Sequence, residues 1–184
     1  MAKIVVFGAS GKAGSQIAAV AEARGHEVTR VGRDPGVQAA ASVAAGHDVA
    51  VSAVVDLTRD PAEFYTEAAR ALVASGAGRI IVVGIYTLLE TSPGVRVVDA
   101  PDFPAEHTPF CLGHAAGVEV LAQSGADWLV MSPAGNFGGV AKGAYRLGGP
   151  DPADELTYED FALAVADEID RPAHHHTQIG IAAV

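Results

Sequence analysis

Cysteine is all but missing from this chain. Cys111 stands alone, so no disulfide can close within it, and a reducing, cytoplasmic setting is the expectation. Lysine is scarce too, found only as Lys3, Lys12 and Lys142. With 12 Lys and Arg against 22 Asp and Glu, the formal net charge is −10. That balance speaks against nucleic acid or an anionic membrane as partner. No run approaches the roughly 18 uninterrupted apolar residues of a membrane span. The opening Met1-Ala2-Lys3 leads straight into a strand-like run, without the apolar core of a signal peptide. Internal repeats and low-complexity segments are absent as well. What is plentiful is apolar surface to bury: hydrophobic residues make up 49% and charged residues 18%, at a mean hydropathy of +0.25. A chain of 184 residues with that make-up reads as one globular domain, 1–184, a monomer or homodimer acting on a small molecule.

The apolar runs alternate between two periods. Residues 3–7 (KIVVF) are apolar on both faces and rich in β-branched side chains, as a buried parallel strand is, and they stop at Gly8. GASGKAG follows and leads into SQIAAVAEAR, where Ile17, Val20, Ala21 and Arg24 recur at helical spacing before Gly25. Residues 26–31 (HEVTRV) form a second strand, closed by Gly32-Arg33-Asp34-Pro35. Beyond it lie a short Ala-rich helix over 37–45, strands over 48–55 and 79–83, a helix over 110–123, and strands over 127–131 and 177–182. Asp60 with Pro61 and Glu63 marks one helix start, with a Phe64/Ala68/Leu72 core stripe behind it. Thr157 with Asp160 marks another, with Phe161, Val165 and Ile169 inward. The eight acids between 151 and 170 read as a solvated face. The fold class is therefore α/β, a single-domain Rossmann fold with a doubly wound parallel sheet. The stretch between the second strand and residue 48 is too short for a full helix plus the third, edge strand, so a sheet lacking that strand is expected to leave its adenine side open.

Gly8, Gly11 and Gly14 stand in the turn between first strand and first helix. In such a turn one glycine allows the tight bend, one lets the backbone approach a pyrophosphate, and one lets helix and strand pack closely. The phosphates would rest on the helix N-terminus, whose free N–H groups and dipole favour an anion. Past the second strand an acid would bind a ribose 2′-hydroxyl, and an arginine a 2′-phosphate. Arg33 is the first polar residue there, and Lys12 lies on the same side. Together they favour NADP(H) over NAD(H). Asp34 lies twenty residues past Gly14, the offset of the NAD-binding acid, but before Pro35 it reads more simply as a turn residue.

With these residues in view, the chain resembles the atypical short-chain dehydrogenase/reductases. Within them it is similar to the NAD(P)H-binding group of flavin and biliverdin reductase-like and epimerase/dehydratase-related proteins. The matching segments are KIVVFGASGKAGSQIAAVAEARGHEVTRVGRDP, RIIVVG, GVRVVDAPDFPAEHTPF, GADWLVMSPAGNFGG with YRLGG, and TYEDFALAVADEIDRPAHH. The resemblance implies a Rossmann core holding NADP(H), with a substrate pocket at the carboxyl ends of the strands and a small substrate-side region over about 134–184. Carried over by position, it puts cofactor contacts at Gly8, Ser10, Gly11, Lys12, Ala13, Gly14 and Arg33. It puts Ala53 and Val54 on the adenine side, Gly84 and Ile85 near the nicotinamide ribose, and Pro133 and Ala134 at the carboxamide. The activity implied is an NADPH-dependent oxidoreductase passing hydride to a small carbonyl, quinone or flavin-like acceptor. A non-catalytic NADP(H)-sensing regulator and a non-redox isomerase or cyclase on the same fold remain the alternatives.

The Tyr-x-x-x-Lys pair of many short-chain reductases is missing. Four residues after Tyr65, Tyr86, Tyr145 and Tyr158 come Ala69, Glu90, Gly149 and Ala162. The candidate catalytic residues are then Tyr86 and Thr87, which follow a strand end and could hydrogen-bond a substrate carbonyl, and His114, a proton donor if the Phe110/His114 pair replaces that motif. Packing residues at Tyr86 and Thr87, and a helix-surface histidine at 114, are the plainer readings of the same positions. Asn136 and Phe137 could line the pocket. Neighbouring residues of His174-His175-His176 point alternately, so no metal site is expected.

Overall fold

The structure is a computed structural model that describes residues 1–34 and 36–184; Pro35, part of the expected turn after the second strand, lies outside the described residues. The first half runs β1 (Lys3–Phe7), α1 (Lys12–Ala23), β2 (Glu27–Val31), α2 (Ala40–Val43), β3 (Val49–Ser52), α3 (Pro61–Ala74) and β4 (Arg79–Val83). A 3₁₀ turn (Tyr86–Leu88) and a small hairpin, β5 (Glu90–Ser92) and β6 (Val95–Arg96), come next. The rest is α4 (Thr108–Ala122), β7 (Trp128–Pro133), β8 (Asn136–Phe137), β9 (Arg146–Leu147), β10 (Glu155–Leu156), α5 (Tyr158–Asp170) and β11 (Thr177–Ala182). Among the described residues no helix is long and apolar enough to cross a membrane.

Seven strands form the central sheet in the order β2-β1-β3-β4-β7-β11-β9, parallel throughout except for β9. Among the described residues β2 is the edge strand of the sheet, directly beside β1. Along β1 the side chains alternate between the two faces. Ile4 and Val6 pack with Ile17, Ala21, Phe161 and Val165 of α1 and α5. Val5 and Phe7 pack with Phe64, Ala68, Leu72 and Leu121 of α3 and α4. A strand buried on both faces has to be apolar at every position, which is what KIVVF supplies after its first residue.

Local signals set several boundaries. Asp60 caps α3 by accepting from Glu63 N–H at 2.9 Å, and Thr157 caps α5 by accepting from Asp160 N–H at 3.1 Å. α4 starts two residues ahead of expectation because Pro109 fits the first turn, where its missing N–H costs nothing. β3 ends at Ser52, short of the expected 55, because the chain leaves the sheet there. The strands of two or three residues, β5, β6, β8, β9 and β10, are too short to show a period in sequence.

The acids of 151–170 are not all solvated, as expected, but divide between surface and interior. Asp154, Asp160 and Glu168 are buried. Asp160 accepts from Lys142 and Gly143 N–H at 3.0 and 2.8 Å, Asp154 accepts from Ala183 N–H, and Glu168 holds the buried Arg79 at 2.9 Å. Arg79 opens β4 at the amino end of the sheet and also donates to His174 O at 2.7 Å. His174 in turn meets Glu168 at 2.5 Å, and His175 meets Asp127 at 2.8 Å. His176 packs edge-on against Trp128. The three consecutive imidazoles thus take three different partners.

Candidate functional site

The three glycines do different work. Gly8 ends β1 at φ +81°, and a Cβ there would stand 2.7 Å from the Ala53 carbonyl carbon at the end of β3. At Gly14 a Cβ would stand 2.7 Å from the Gly8 carbonyl carbon. Both positions are glycine because the backbone packs on itself. Gly11 differs: outside its own chain neighbours, a Cβ would come near only Gly8 O, at 3.2 Å. Gly11 is the N-cap of α1, with no side-chain cap and no acid in the first turn. The first-turn N–H groups of α1 are therefore left to whatever occupies the space in front of them.

That space is a cleft of about 160 Å³. One wall is Gly8, Ser10 and Gly11 after β1; another is Gly32 and Arg33 after β2 with Gly36, Val37 and Gln38; the third is Ala53 to Asp56 after β3, with Phe64. The chain goes from β1 to one side (β2) and then crosses to the other (β3). The cleft opens at that switch point, beyond the carboxyl ends of the strands, where such sheets bind ligands. Arg33 stands exposed on its wall, whereas Arg24, Arg30, Arg59, Arg79 and Arg96 all hold carboxylates at 2.8–2.9 Å. Asp56 is held below the ordinary carboxylate range, chiefly by the Thr58 hydroxyl at 2.6 Å and its N–H at 2.9 Å, with Arg33 and Arg59 adding attraction.

Of the expected cofactor contacts, Gly8, Ser10, Gly11, Arg33, Ala53 and Val54 come together in this cleft. Lys12, Ala13 and Gly14 lie behind it in the first turn of α1, with Lys12 exposed. Gly36, Val37, Gln38, Asp56 and Phe64 were not legible as lining residues. Gly36 is at φ +70° and swings 37–38 back over the cleft, a loop path without a short sequence signature. The side of the cleft expected to be open for want of a third strand is walled by this segment, and Val37, Ala40 and Ala44 are buried.

A small second cavity, of about 30 Å³, lies between the sheet and α3/α4. It shares Val54 with the cleft and reaches Ser52, Gly84, Leu88, Tyr65 and His114. A Cβ at Gly84 would meet Val130 Cγ1 at 2.7 Å. His114 is not a helix-surface residue, the plainer of the two expectations, but buried: it stacks on Tyr65 with ring centres 3.8 Å apart and meets Phe110 edge-on at 5.0 Å. Burial pulls its pKa down to about 4, so at pH 7 the ring is neutral. The Tyr65 phenol is pushed well up, first by burial and then by the negative charge of Asp56.

Thr87 is buried, and its hydroxyl donates to Cys111 Sγ at 3.2 Å, among Leu88 and Val98 with Ile85 packed against them. Tyr86 is half-buried in the same 3₁₀ turn. Pro133 and Ala134 are buried at the carboxyl end of β7; Ala134 N–H donates to Ile181 O at 2.7 Å and its carbonyl accepts from Asp151 N–H at 2.8 Å. Neither lines the cleft or the second cavity. Asn136 donates to Pro152 O at 3.2 Å, and Phe137 stacks on Tyr158 at 4.2 Å.

No family model matches this chain. It is 30% identical to the uncharacterized protein YwnB of Bacillus subtilis strain 168, over an alignment of 213 positions covering 97% of each chain. Among solved structures it is similar to a Streptococcus pneumoniae TIGR4 protein provisionally assigned as an NADH-flavin reductase, with a TM-score of 0.88, 25% identity and all of both chains covered. A Bacteroides thetaiotaomicron protein provisionally assigned as an epimerase gives a TM-score of 0.84 at 28% identity, covering 100% of this chain and 97% of that one. A Burkholderia pseudomallei protein provisionally assigned as an exported protein gives 0.83 at 31% identity, with both chains fully covered.

Proposed function

This chain belongs to the family of YwnB, within the atypical short-chain dehydrogenase/reductases and their NAD(P)-binding group, and on that premise we propose that it is an NADPH-dependent reductase of a small carbonyl, quinone or flavin-like acceptor. The observation that carries the reading is Gly11. It lines the cleft at the uncapped start of α1 and at the switch point of the sheet, and a Cβ there would meet one protein atom, Gly8 O, at 3.2 Å. A pyrophosphate fits there, because α1 offers free N–H groups and no first-turn acid repels it.

Gly8, Ser10 and Gly11, with the first turn over Lys12, Ala13 and Gly14, hold the phosphates. Arg33, exposed and without a carboxylate partner among the described residues, receives the 2′-phosphate, with Lys12 adding positive potential. Ala53 and Val54 flank the adenine side, Gly84 and Ile85 the nicotinamide ribose, and Pro133 and Ala134 the carboxamide end. Residues about 134–184 frame the acceptor side through β8 and β10, while α5 and β11 belong to the core. When bound, the cofactor supplies the hydride; the protein supplies orientation and a dry site. A flavin-like acceptor agrees with the absence of Tyr-x-x-x-Lys and with the assignment of the Streptococcus relative.

Calorimetric titration with NADPH, NADP⁺, NADH and NAD⁺, on wild type and Arg33→Ala, tests the reading. NADPH is expected to bind more tightly than NADH, and Arg33→Ala to shrink that preference by about tenfold or more, the share of charge-assisted hydrogen bonds to one phosphate. Binding of none of the four by the wild type overturns it.

A further inference from the structure

α3 and α4 cross at close range, and at the crossing α4 carries glycine. A Cβ at Gly113 would stand 2.5 Å from Pro61 Cβ, and one at Gly117 would stand 3.0 Å from Tyr65 O. Between those glycines His114 lies over the Tyr65 ring, with ring centres 3.8 Å apart. Held in this way, Tyr65 lines the small cavity under the sheet, and its Oη is buried without a hydrogen bond among the described residues.

Packing does not explain that hydroxyl. Three other buried side-chain polar atoms lack a bond, His26 Nε2, His47 Nδ1 and Arg79 Nε, but each of those side chains bonds through another nitrogen. Tyr65 has one polar atom. Its ring meets Phe64, Phe110 and His114, contacts a phenylalanine would make equally well. An unmatched buried hydroxyl is a net cost to folding.

Size and lining decide what can match it. The space is about 30 Å³, enough for one water and at most two, at on the order of 10–15 Å³ each. No sugar or other organic ligand fits. Purely apolar cavities stay dry, whereas a water needs about two to four polar partners. Three polar side chains line this cavity: Tyr65 from α3, His114 from α4 and Ser52 from the end of β3. Ser52 follows Ala50 onto the α3/α4 face of the sheet, because Val49 and Val51 turn to the α1/α5 face. Each of the two hydroxyls donates and accepts, and the neutral His114 ring offers one donor and one acceptor. A water does both, so it can match all three.

We propose that Tyr65 Oη, Ser52 Oγ and His114 hold one internal water, which joins α3, α4 and β3 beneath the carboxyl end of the sheet. The site does not depend on the nucleotide reading of the cleft. It accounts for a tyrosine where ring packing alone calls for phenylalanine.

A high-resolution crystal structure of the wild type is expected to show a water within hydrogen-bond distance of Tyr65 Oη. Tyr65→Phe is expected to lower the Tm by about 2–4 °C, the share of one hydrogen bond. A dry cavity predicts the opposite sign, because phenylalanine then removes a hydroxyl that nothing satisfies. Ser52→Ala supplies the second comparison. In the wild type it is expected to lower the Tm by a similar amount, and in Tyr65→Phe by less than about half as much, since both hydroxyls act through the same water. No water at Tyr65 Oη, a higher Tm for Tyr65→Phe, or additive shifts from the two substitutions would each overturn the site.

Discussion

The two ends of the central sheet treat their polar groups differently. At the amino end several charged side chains hold one another: Arg79 with Glu168 and His174 O, His175 with Asp127, Asp48 accepting from Lys3 N–H at 2.8 Å, and Arg24 with Asp167 and Asp170 at 2.8 Å. At the carboxyl end α1 starts without a cap, Arg33 stands on the cleft wall without a carboxylate, and Tyr65 Oη is buried without a partner among the described residues. Groups bonded internally tie the chain's distant segments together. Groups that the chain leaves free are available to a ligand or a water.

Five variants would break or sharpen that contrast. The largest effect is expected at the amino end. Glu168→Ala leaves Arg79 buried without its main carboxylate and should cost about 3–5 kcal/mol in urea unfolding at pH 7, with NADPH binding by the folded protein unchanged. A loss below about 1 kcal/mol would mean the paired end holds little. Next comes His114, whose pKa is lowered to about 4 from 6.5 by burial. Between those values the unfolded chain takes up a proton that the folded chain does not, so this contribution is complete above pH 6.5 and lost as pH falls toward 4. Unfolding measured across that range should show His114→Leu relieved of an acid sensitivity on the order of 3 kcal/mol.

The glycine turn gives the third comparison within a single loop. Gly8→Ala, at positive φ and against the Ala53 backbone, should destabilise by about 2 kcal/mol or more. Gly11→Ala, with ordinary φ and a single close contact at Gly8 O, should keep its Tm within about 2 °C while losing about tenfold or more in NADPH affinity. Equal destabilisation by both substitutions would erase the distinction between a packing glycine and a ligand-facing one. The smallest effect is expected from Thr157→Ala, which removes the α5 cap for about 1 kcal/mol and leaves nucleotide titrations unaltered.

Much of this was legible along the chain wherever the determining partner is close in sequence. β1, β4 and β11 run over the residues that their apolar patterns mark, and the caps at Asp60 and Thr157 each act three residues ahead. The turn holding Gly8, Gly11 and Gly14 shows itself because strand, glycines and helix follow directly on one another.

The rest needed partners from elsewhere in the chain. Nothing near Tyr65 in sequence says that its ring will lie on His114, and nothing near His114 says that it will be buried. Glu168 and Asp160 look like their solvated neighbours until Arg79 and the Lys142 backbone reach them. Thr87 looks available until Cys111 takes its hydroxyl. The sequence by itself determined the alternation of strands and helices and the place of the glycine turn, because both depend on local periodicity and local backbone freedom. Only the tertiary structure decided which polar groups are matched and which are left for a ligand, because a hydrogen bond depends on distance and direction in space, and two residues far apart along the chain acquire those only when the sheet and its helices have packed.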